Sequence, residues 1–371
     1  MTSYKVVHLA KQVSSTSMFW NDIIPNFKQV EHGRCYPTIT AAPKYFFIKK
    51  KRELRSGYSA NYYQCGLLSS VLLLRRMSKN QEGKLVIHVH TPVLVLVIFL
   101  LKLSGVKFKA VVTQHSTWKN FSRSIHRWSL WLLSFLVDKY VGCGNEVFDG
   151  MFIKTLKRLN KEDKLVVIPN GIPSTYLSSL ANQRAQYIEN KEEADGVNSI
   201  VVARMTPAKN CGALLELISK LPELGDIYWY GDGEQREQLE QEIKKLGLQD
   251  KLHLMGRVPR KAIYKALTKT DFYLTMSLWE GLSVADLEAV AVGCYPLMSN
   301  IPQRQAISEV SGIKLLPFDN SQKWRNEIQK YLDLKPTQRA QLGLEISEKI
   351  CAEFSIEKMI KRYISVYKET F

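Results

Sequence analysis

Glu280 and Glu288 have seven residues between them in the run Trp279-Glu-Gly-Leu-Ser-Val-Ala-Asp-Leu-Glu-Ala-Val-Ala-Val-Gly293. Ahead of them, Asp271–Met276 is an apolar run of strand length. After Ser283, a small-residue apolar stretch reads as a buried helix. The first carboxylate therefore lies in a loop at a strand's carboxyl end, and the second about a turn and a half into the helix. Ligands of open α/β sheets bind at that edge, where helix amino termini offer free N–H groups to anions. A loop acid and a helix acid beside such an end suit a neutral, hydroxyl-rich ligand that also carries phosphate. A Glu inside an apolar helix is costly without a partner, so Glu288 needs a counter-cation.

A second constellation is Val201-Val-Ala-Arg204-Met-Thr-Pro-Ala-Lys209-Asn210, which places two cations between a strand and a helix. Where a phosphate-bearing group departs, negative charge develops on it, and cations fixed there are the largest lever on the barrier. Arg204 suits bidentate contact and Lys209 a point charge. Tyr230-Gly231-Asp232-Gly233-Glu234 and Gly256-Arg257-Val258-Pro259 each follow a strand, and their glycines permit close backbone approach. Ordinary strand–helix turns share that look. Ser283 is a candidate helix cap, and Leu282, Ser283 and Val284 place backbone N–H groups where a diphosphate can rest. Thr113-Gln114-His115 ends a strand on a histidine. His88 and His90 are read as lying on opposite faces of their strand, hence as core or cleft lining and not as joint metal ligands. No metal site and no cofactor is expected.

These residues need strands to deliver them. In the first half, strand-like runs at 6–9, 45–48, 85–89, 110–113, 140–142 and 165–168 alternate with helical segments near 60–78, 92–104, 121–137 and 145–159. Strand and helix in alternation imply a parallel, doubly wound sheet. Residues 177–196 are polar and weakly periodic, as in a linker. A second series follows, with strands at 199–203, 227–230, 251–255, 271–276 and 294–298 and helices between them. The tail from Ile356 to Phe371 has Met359, Ile360, Ile364 and Tyr367 at helical spacing.

The E-x7-E spacing, followed by Ala289 and by Gly293, resembles the retaining, nucleotide-sugar-dependent glycosyltransferases of the GT-B fold, in the large group called family 4. The Arg204–Lys209 spacing fits the same pattern, and the resemblance runs over about the last half of the chain. It implies an α/β fold of two facing Rossmann-like doubly wound domains with a cleft between them: 1–176 for the acceptor, a linker 177–196, 197–354 for the nucleotide sugar, and a crossover helix 355–371 packing back on the first. It implies contacts of Glu280 with sugar hydroxyls and of Glu288 with the ribose. Arg204 and Lys209 would meet the diphosphate and His115 the donor sugar. Gly231, Gly233, Arg257 and Val258 would line the nucleotide. The activity implied is transfer of a sugar, with its anomeric configuration kept, from a UDP- or GDP-sugar to a lipid-linked or cell-surface glycan. No D-x-D motif occurs, so metal independence is expected. One departure stands out: the glycine-rich loop common after the family's first strand reads Ala10-Lys-Gln-Val-Ser-Ser15, where Lys11, Ser14 and Ser15 are the available substitutes. A nucleotide-sugar epimerase of similar fold and a catalytically silent membrane-surface subunit are the competing readings.

The chain of 371 residues has a formal charge of +17, with 45% hydrophobic and 23% charged residues, values of a globular protein. The charge is segregated: residues 1–170 hold 26 Lys and Arg against 9 Asp and Glu, and the remainder holds 26 of each. One domain thus faces a polyanion and the other does not. Lys49–Arg52, Arg75-Arg76 and the aromatic-basic run Trp118–Trp131 suit an anionic membrane surface, while no nucleic-acid motif appears. The scattered Cys35, Cys65, Cys143, Cys211, Cys294 and Cys351 form no C-x2-C pair and read as reduced thiols. The amino terminus reads as a strand rather than a signal peptide, and 93–101 is too short an apolar run to span a bilayer. A cytoplasmic protein, peripheral on the inner face of the membrane, is the expectation.

Overall fold

The computed structural model describes residues 4–10, 35–41, 48–53, 59–65, 67–79, 84–90, 94–115, 132, 135–148, 151–159, 161–192 and 195–371. They divide into two compact units, Met1–Asn170 with Ile356–Phe371, and Gly171–Ser355.

The first unit is built on strands β1 (Tyr4–Ala10), β2 (Cys35–Ala41), β3 (Ile48–Glu53), β4 (Ser59–Cys65), β5 (Lys84–Val89), β6 (Lys109–Gln114), β7 (Lys139–Gly142) and β8 (Leu165–Val167). Their spatial order is β3-β4-β2-β1-β5-β6-β7-β8, parallel except for the antiparallel β3–β4 pair. A parallel sheet needs cover on both faces, and residue parity decides which side chain goes where. Val7, Leu9, Leu85, Ile87, Val89, Ala110 and Val112 face the helix Val95–Leu103. Val6, Val86, Val111 and Val141 face the helix Ile356–Glu369, whose Ile356, Met359, Ile360, Tyr363, Ile364 and Tyr367 form the i, i+3, i+4 stripe that covers them. The last helix thus returns to the first sheet.

The second unit has β9 (Asn198–Val202), β10 (Asp226–Tyr230), β11 (Leu252–Gly256), β12 (Phe272–Thr275) and β13 (Tyr295–Met298). The order is β11-β10-β9-β12-β13, all parallel. Each lies within a residue or two of its expected place. Strand order reverses between β9 and β12.

Three expectations need correction. Residues 59–65 are a strand, with the helix confined to Leu67–Lys79, since Tyr62, Tyr63 and their neighbours favour a pleated sheet. Residues 174–189 are a helix and not part of a linker. Its buried positions Leu177, Leu180, Ala181, Arg184, Ala185 and Ile188 follow helical spacing, and the charged Arg184 conceals the stripe. That guanidinium is satisfied by the carbonyls of Thr270 and Asp271 and the hydroxyl of Tyr331. The break between units lies after Asn170, ahead of the expected 176. Residues 45–47, most of the expected helix 121–137 and the Lys11–Ser15 loop lie outside the described residues. No helix among those described is long and apolar enough to cross a membrane.

Ile360 is fully buried between the last helix and the first sheet. Ile360→Ala is expected to cost about 2–5 kcal/mol, the usual range for emptying a packed aliphatic site, read from denaturant unfolding. A loss below ~1 kcal/mol would mean that the helix does not dock as described.

Candidate active site

The reversal of strand order between β9 and β12 opens a crevice at their carboxyl ends, and both sequence motifs leave the sheet there. Residues 203–210 follow β9 and residues 276–283 follow β12. The Leu278 N–H donates to the Ala208 carbonyl at 2.9 Å and ties the two loops together. Asn210 adopts the left-handed conformation, φ 52°, where the chain turns into the helix Cys211–Ser219. Lys209 Nζ, just before that turn, donates to Glu280 Oε1. Their side chains are only 16% and 13% exposed, so the pair is largely withdrawn from water. Arg204 is exposed and forms no ion pair or hydrogen bond among the described residues through its guanidinium.

The glycines after β10 act on that loop. A Cβ on Gly231, φ 143°, would sit 1.9 Å from the Ala203 carbonyl oxygen, and one on Gly233 would sit 2.2 Å from that of Met205. The Ala203 and Met205 N–H groups donate to the carbonyls of Tyr230 and Asp232 at 3.0 and 3.2 Å. Both glycines therefore exist to let two loops touch, and the touch holds the backbone on either side of Arg204. Arg257, exposed, and Val258, half-buried, follow β11 at the outer edge of the sheet.

Ser283 caps the helix Val284–Ala291. Its Oγ accepts from the Asp286 N–H at 3.3 Å and donates to Asp286 Oδ1 at 2.8 Å. The N–H groups of Val284 and Ala285 find no acceptor among the described residues, while Leu282 is buried beside them. Glu288 has the counter-cation its burial demands: Arg260 donates to Oε1, and the Tyr264 hydroxyl donates to the same oxygen at 2.9 Å. Arg260 and Tyr264 lie four apart on the helix Arg260–Leu267, hence on one face. Sequence reasoning asked for a cation and did not find which; the i, i+4 pair was the available signal.

Below this level runs a buried network that sequence reasoning also missed. Arg304 donates through Nε to Asp286 Oδ2 at 2.8 Å, through Nη1 to Ser299 Oγ at 2.6 Å, and through Nη2 to Thr275 Oγ1 at 2.7 Å. Tyr273 donates to Asp286 Oδ1 at 2.7 Å. Arg304 and Asp286 are each 1% exposed. Burial works against the Asp286 charge, and the Arg304 guanidinium overrides it, holding the carboxyl below its usual range. The signal in the sequence was Ser283-Val-Ala-Asp286, a capping-box pattern that brings a second acid into an apolar helix.

In the first unit, His115 is exposed at the end of β6, its ring stacked on His90 with centroids 6.0 Å apart. The reading of His88 and His90 on opposite faces is wrong: residues two apart on a strand share a face, and their centroids are 4.0 Å apart. His8, paired with His88 in the β1–β5 register, completes a cluster. His8 Nδ1 lies 3.0 Å from His90 Nε2. His88 meets the Tyr367 hydroxyl through Nδ1 and Thr113 Oγ1 through Nε2, both at 2.7 Å. Burial keeps these imidazoles neutral, taking His8 down to about 3 and His88 well below its ordinary value, with the neighbouring rings adding to the effect at His88. Arg75 and Arg76 are exposed on their helix, and Lys49–Arg52 falls within β3. Trp118–Trp131 lies outside the described residues.

A family model described as glycosyl transferases group 1 matches residues 183–344. Those residues form a group 1 glycosyl transferase domain. The site just described, apart from the histidines of the first unit, lies within it. Among characterised proteins, the GPI3 subunit of phosphatidylinositol N-acetylglucosaminyltransferase from Saccharomyces cerevisiae is 26% identical over 189 residues, 49% of this chain and 40% of the yeast protein. The chain thus aligns with less than half the length of that relative. Sucrose-phosphate synthase from Thermosynechococcus elongatus superposes with a TM-score of 0.75 at 16% identity, covering 98% of each chain. Anabaena Alr3699/HepE, solved in complex with UDP, superposes with a TM-score of 0.71 at 13% identity, covering 99% of this chain and 100% of that one. The fold of the whole chain is GT-B.

Arg304→Ala would leave Asp286 buried without its cation, so a loss of about 3–5 kcal/mol is expected. Because the folded Asp286 pKa is depressed, its contribution is present above the ordinary 3.8 and fades as pH falls through the lower folded value. Urea unfolding at neutral and acidic pH checks both statements; equal losses at pH 7 and pH ~2 would detach the effect from the ion pair.

Proposed function

We propose that the chain is a family 4-like retaining glycosyltransferase. It moves a hexosyl unit from a UDP- or GDP-sugar to a lipid-linked or cell-surface glycan acceptor, of the kind used in exopolysaccharide, O-antigen or lipopolysaccharide assembly. The observation that carries this reading is the meeting of Lys209, Glu280, exposed Arg204 and a capped helix start at the point where the second sheet reverses its strand order.

Arg204 grips the diphosphate and Lys209 shares its charge between that group and Glu280. The N–H groups of Val284 and Ala285 add a helix end to the same anion. Glu280 accepts from sugar hydroxyls. Glu288, oriented by Arg260 and Tyr264, accepts from the ribose, while Arg257 and Val258 border the base and Gly231 and Gly233 hold the Arg204 loop against it. His115 steadies the oxocarbenium-like sugar or positions the acceptor. The bond from the anomeric carbon to phosphate oxygen breaks as the acceptor oxygen bonds to the same face, and the acceptor proton passes to the leaving phosphate. Side-chain cations and helix N–H groups supply the charge stabilisation, so no metal is assigned to the step. HepE bound to UDP supports the donor class. The phosphatidylinositol in the yeast relative's name supports a lipid-type acceptor, as does the charge of the first half. That charge also supports a place on the inner face of the cell membrane.

Nucleotide release from a panel of nucleotide sugars, with UDP and GDP compared for thermal stabilisation, tests the reading. Stabilisation without release by any donor would favour a silent subunit. Glu288→Ala is expected to weaken nucleotide binding roughly tenfold, as loss of one charge-assisted hydrogen bond does. Lys209→Ala is expected to lower kcat by about 10²–10³, a larger effect than the loss of its pairing with Glu280 has on the thermal melt, and wild-type values in both variants would dismiss the donor-site assignment. Neutralising Lys49–Arg52 is expected to reduce sedimentation with anionic vesicles; unchanged sedimentation would refute the membrane face.

A further inference from the structure

We propose that His8, His88 and His90 form a binding site for one divalent transition-metal ion of the zinc class, at the carboxyl edge of the first sheet. One ring nitrogen from each residue lies within 4.8 Å of the others. His8 Nδ1 and His90 Nε2 are 3.0 Å apart, and at a metal–nitrogen distance of about 2.0–2.1 Å both can face one ion at close to a right angle. His88 completes the set by turning Nε2 from Thr113 to the ion. Its Nδ1 stays on the Tyr367 hydroxyl, the outer hydrogen bond that ligating histidines keep. The lone pairs of the facing nitrogens go to the ion, and the protons sit on the far nitrogens.

The chemistry of the donor set agrees with that ion. Three imidazoles suit zinc, cobalt, nickel or copper and not magnesium or calcium. Three protein ligands leave a further coordination position open to water. The site also stands where open sheets bind ligands: β1 and β5 are neighbours at the point where strand order reverses, with β2 on one flank and β6 on the other. It belongs wholly to the first unit, and the sugar transfer proposed above does not pass through it.

The test uses the full, untagged chain, stripped with chelator and dialysed against zinc chloride alone, with bound metal measured by atomic spectroscopy and cobalt(II) substituted for its visible spectrum. The expected result is about one zinc per chain, a cobalt spectrum of low coordination number, and loss of both in His8→Gln and His90→Gln but not in His253→Gln. Tyr367→Phe should weaken affinity by roughly 10–100-fold, as removal of an outer partner does. His90 is the half-buried member, so His90→Gln decides the matter if His8→Gln yields no soluble chain. A wild-type chain without stoichiometric zinc, or zinc binding unchanged in His90→Gln, would overturn the site and leave a hydrogen-bonded histidine cluster.

Discussion

One buried guanidinium sets the geometry on which the second unit's site depends. Arg304 reaches Thr275 at the end of β12, Ser299 just past β13 and Asp286 in the first turn of the Glu288 helix. Hydrogen bonds to a charged partner in a dry interior are strong and leave little angular freedom. The helix start, the loop bearing Glu280 and the position of Glu288 all follow from that anchoring. Ser283, which caps the helix and also donates to Asp286, is the visible end of the same network.

Above it, each glutamate is already matched to a cation, Glu280 to Lys209 and Glu288 to Arg260. Pairing offsets the cost of burying a carboxylate at this depth and fixes its direction. A ligand meeting these acids finds acceptors of defined orientation while the net charge is carried by Arg204. That division suits a molecule with neutral hydroxyls at one end and a diphosphate at the other.

Much of this was legible in the sequence, for a physical reason. Strand, loop and helix signals are local, so β9 to β13 and the loops bearing Arg204, Lys209, Glu280 and Ser283 lie where apolar runs and turn residues put them. What escaped was long-range. Arg260 and Arg304 find their acids across 28 and 18 residues, and local pattern, even the Arg260–Tyr264 spacing, does not say which acid each will meet. Arg184 misled more actively: a charge in the middle of a buried stripe made a helix look like a linker, because its acceptors are carbonyls 86 and 87 residues away. The histidine reading failed on parity, since two residues apart on a strand means the same side.

The chain leaves the first unit at Asn170 and returns at Ile356. During synthesis the valine face of β1, β5, β6 and β7 is therefore made long before its cover. Domains that emerge first usually fold first; here the amino-terminal sheet waits, one side bare, until translation reaches the final helix. Between those moments that valine face lacks the stripe of the last helix that covers it in the folded chain, and an apolar face left bare is open to misassociation.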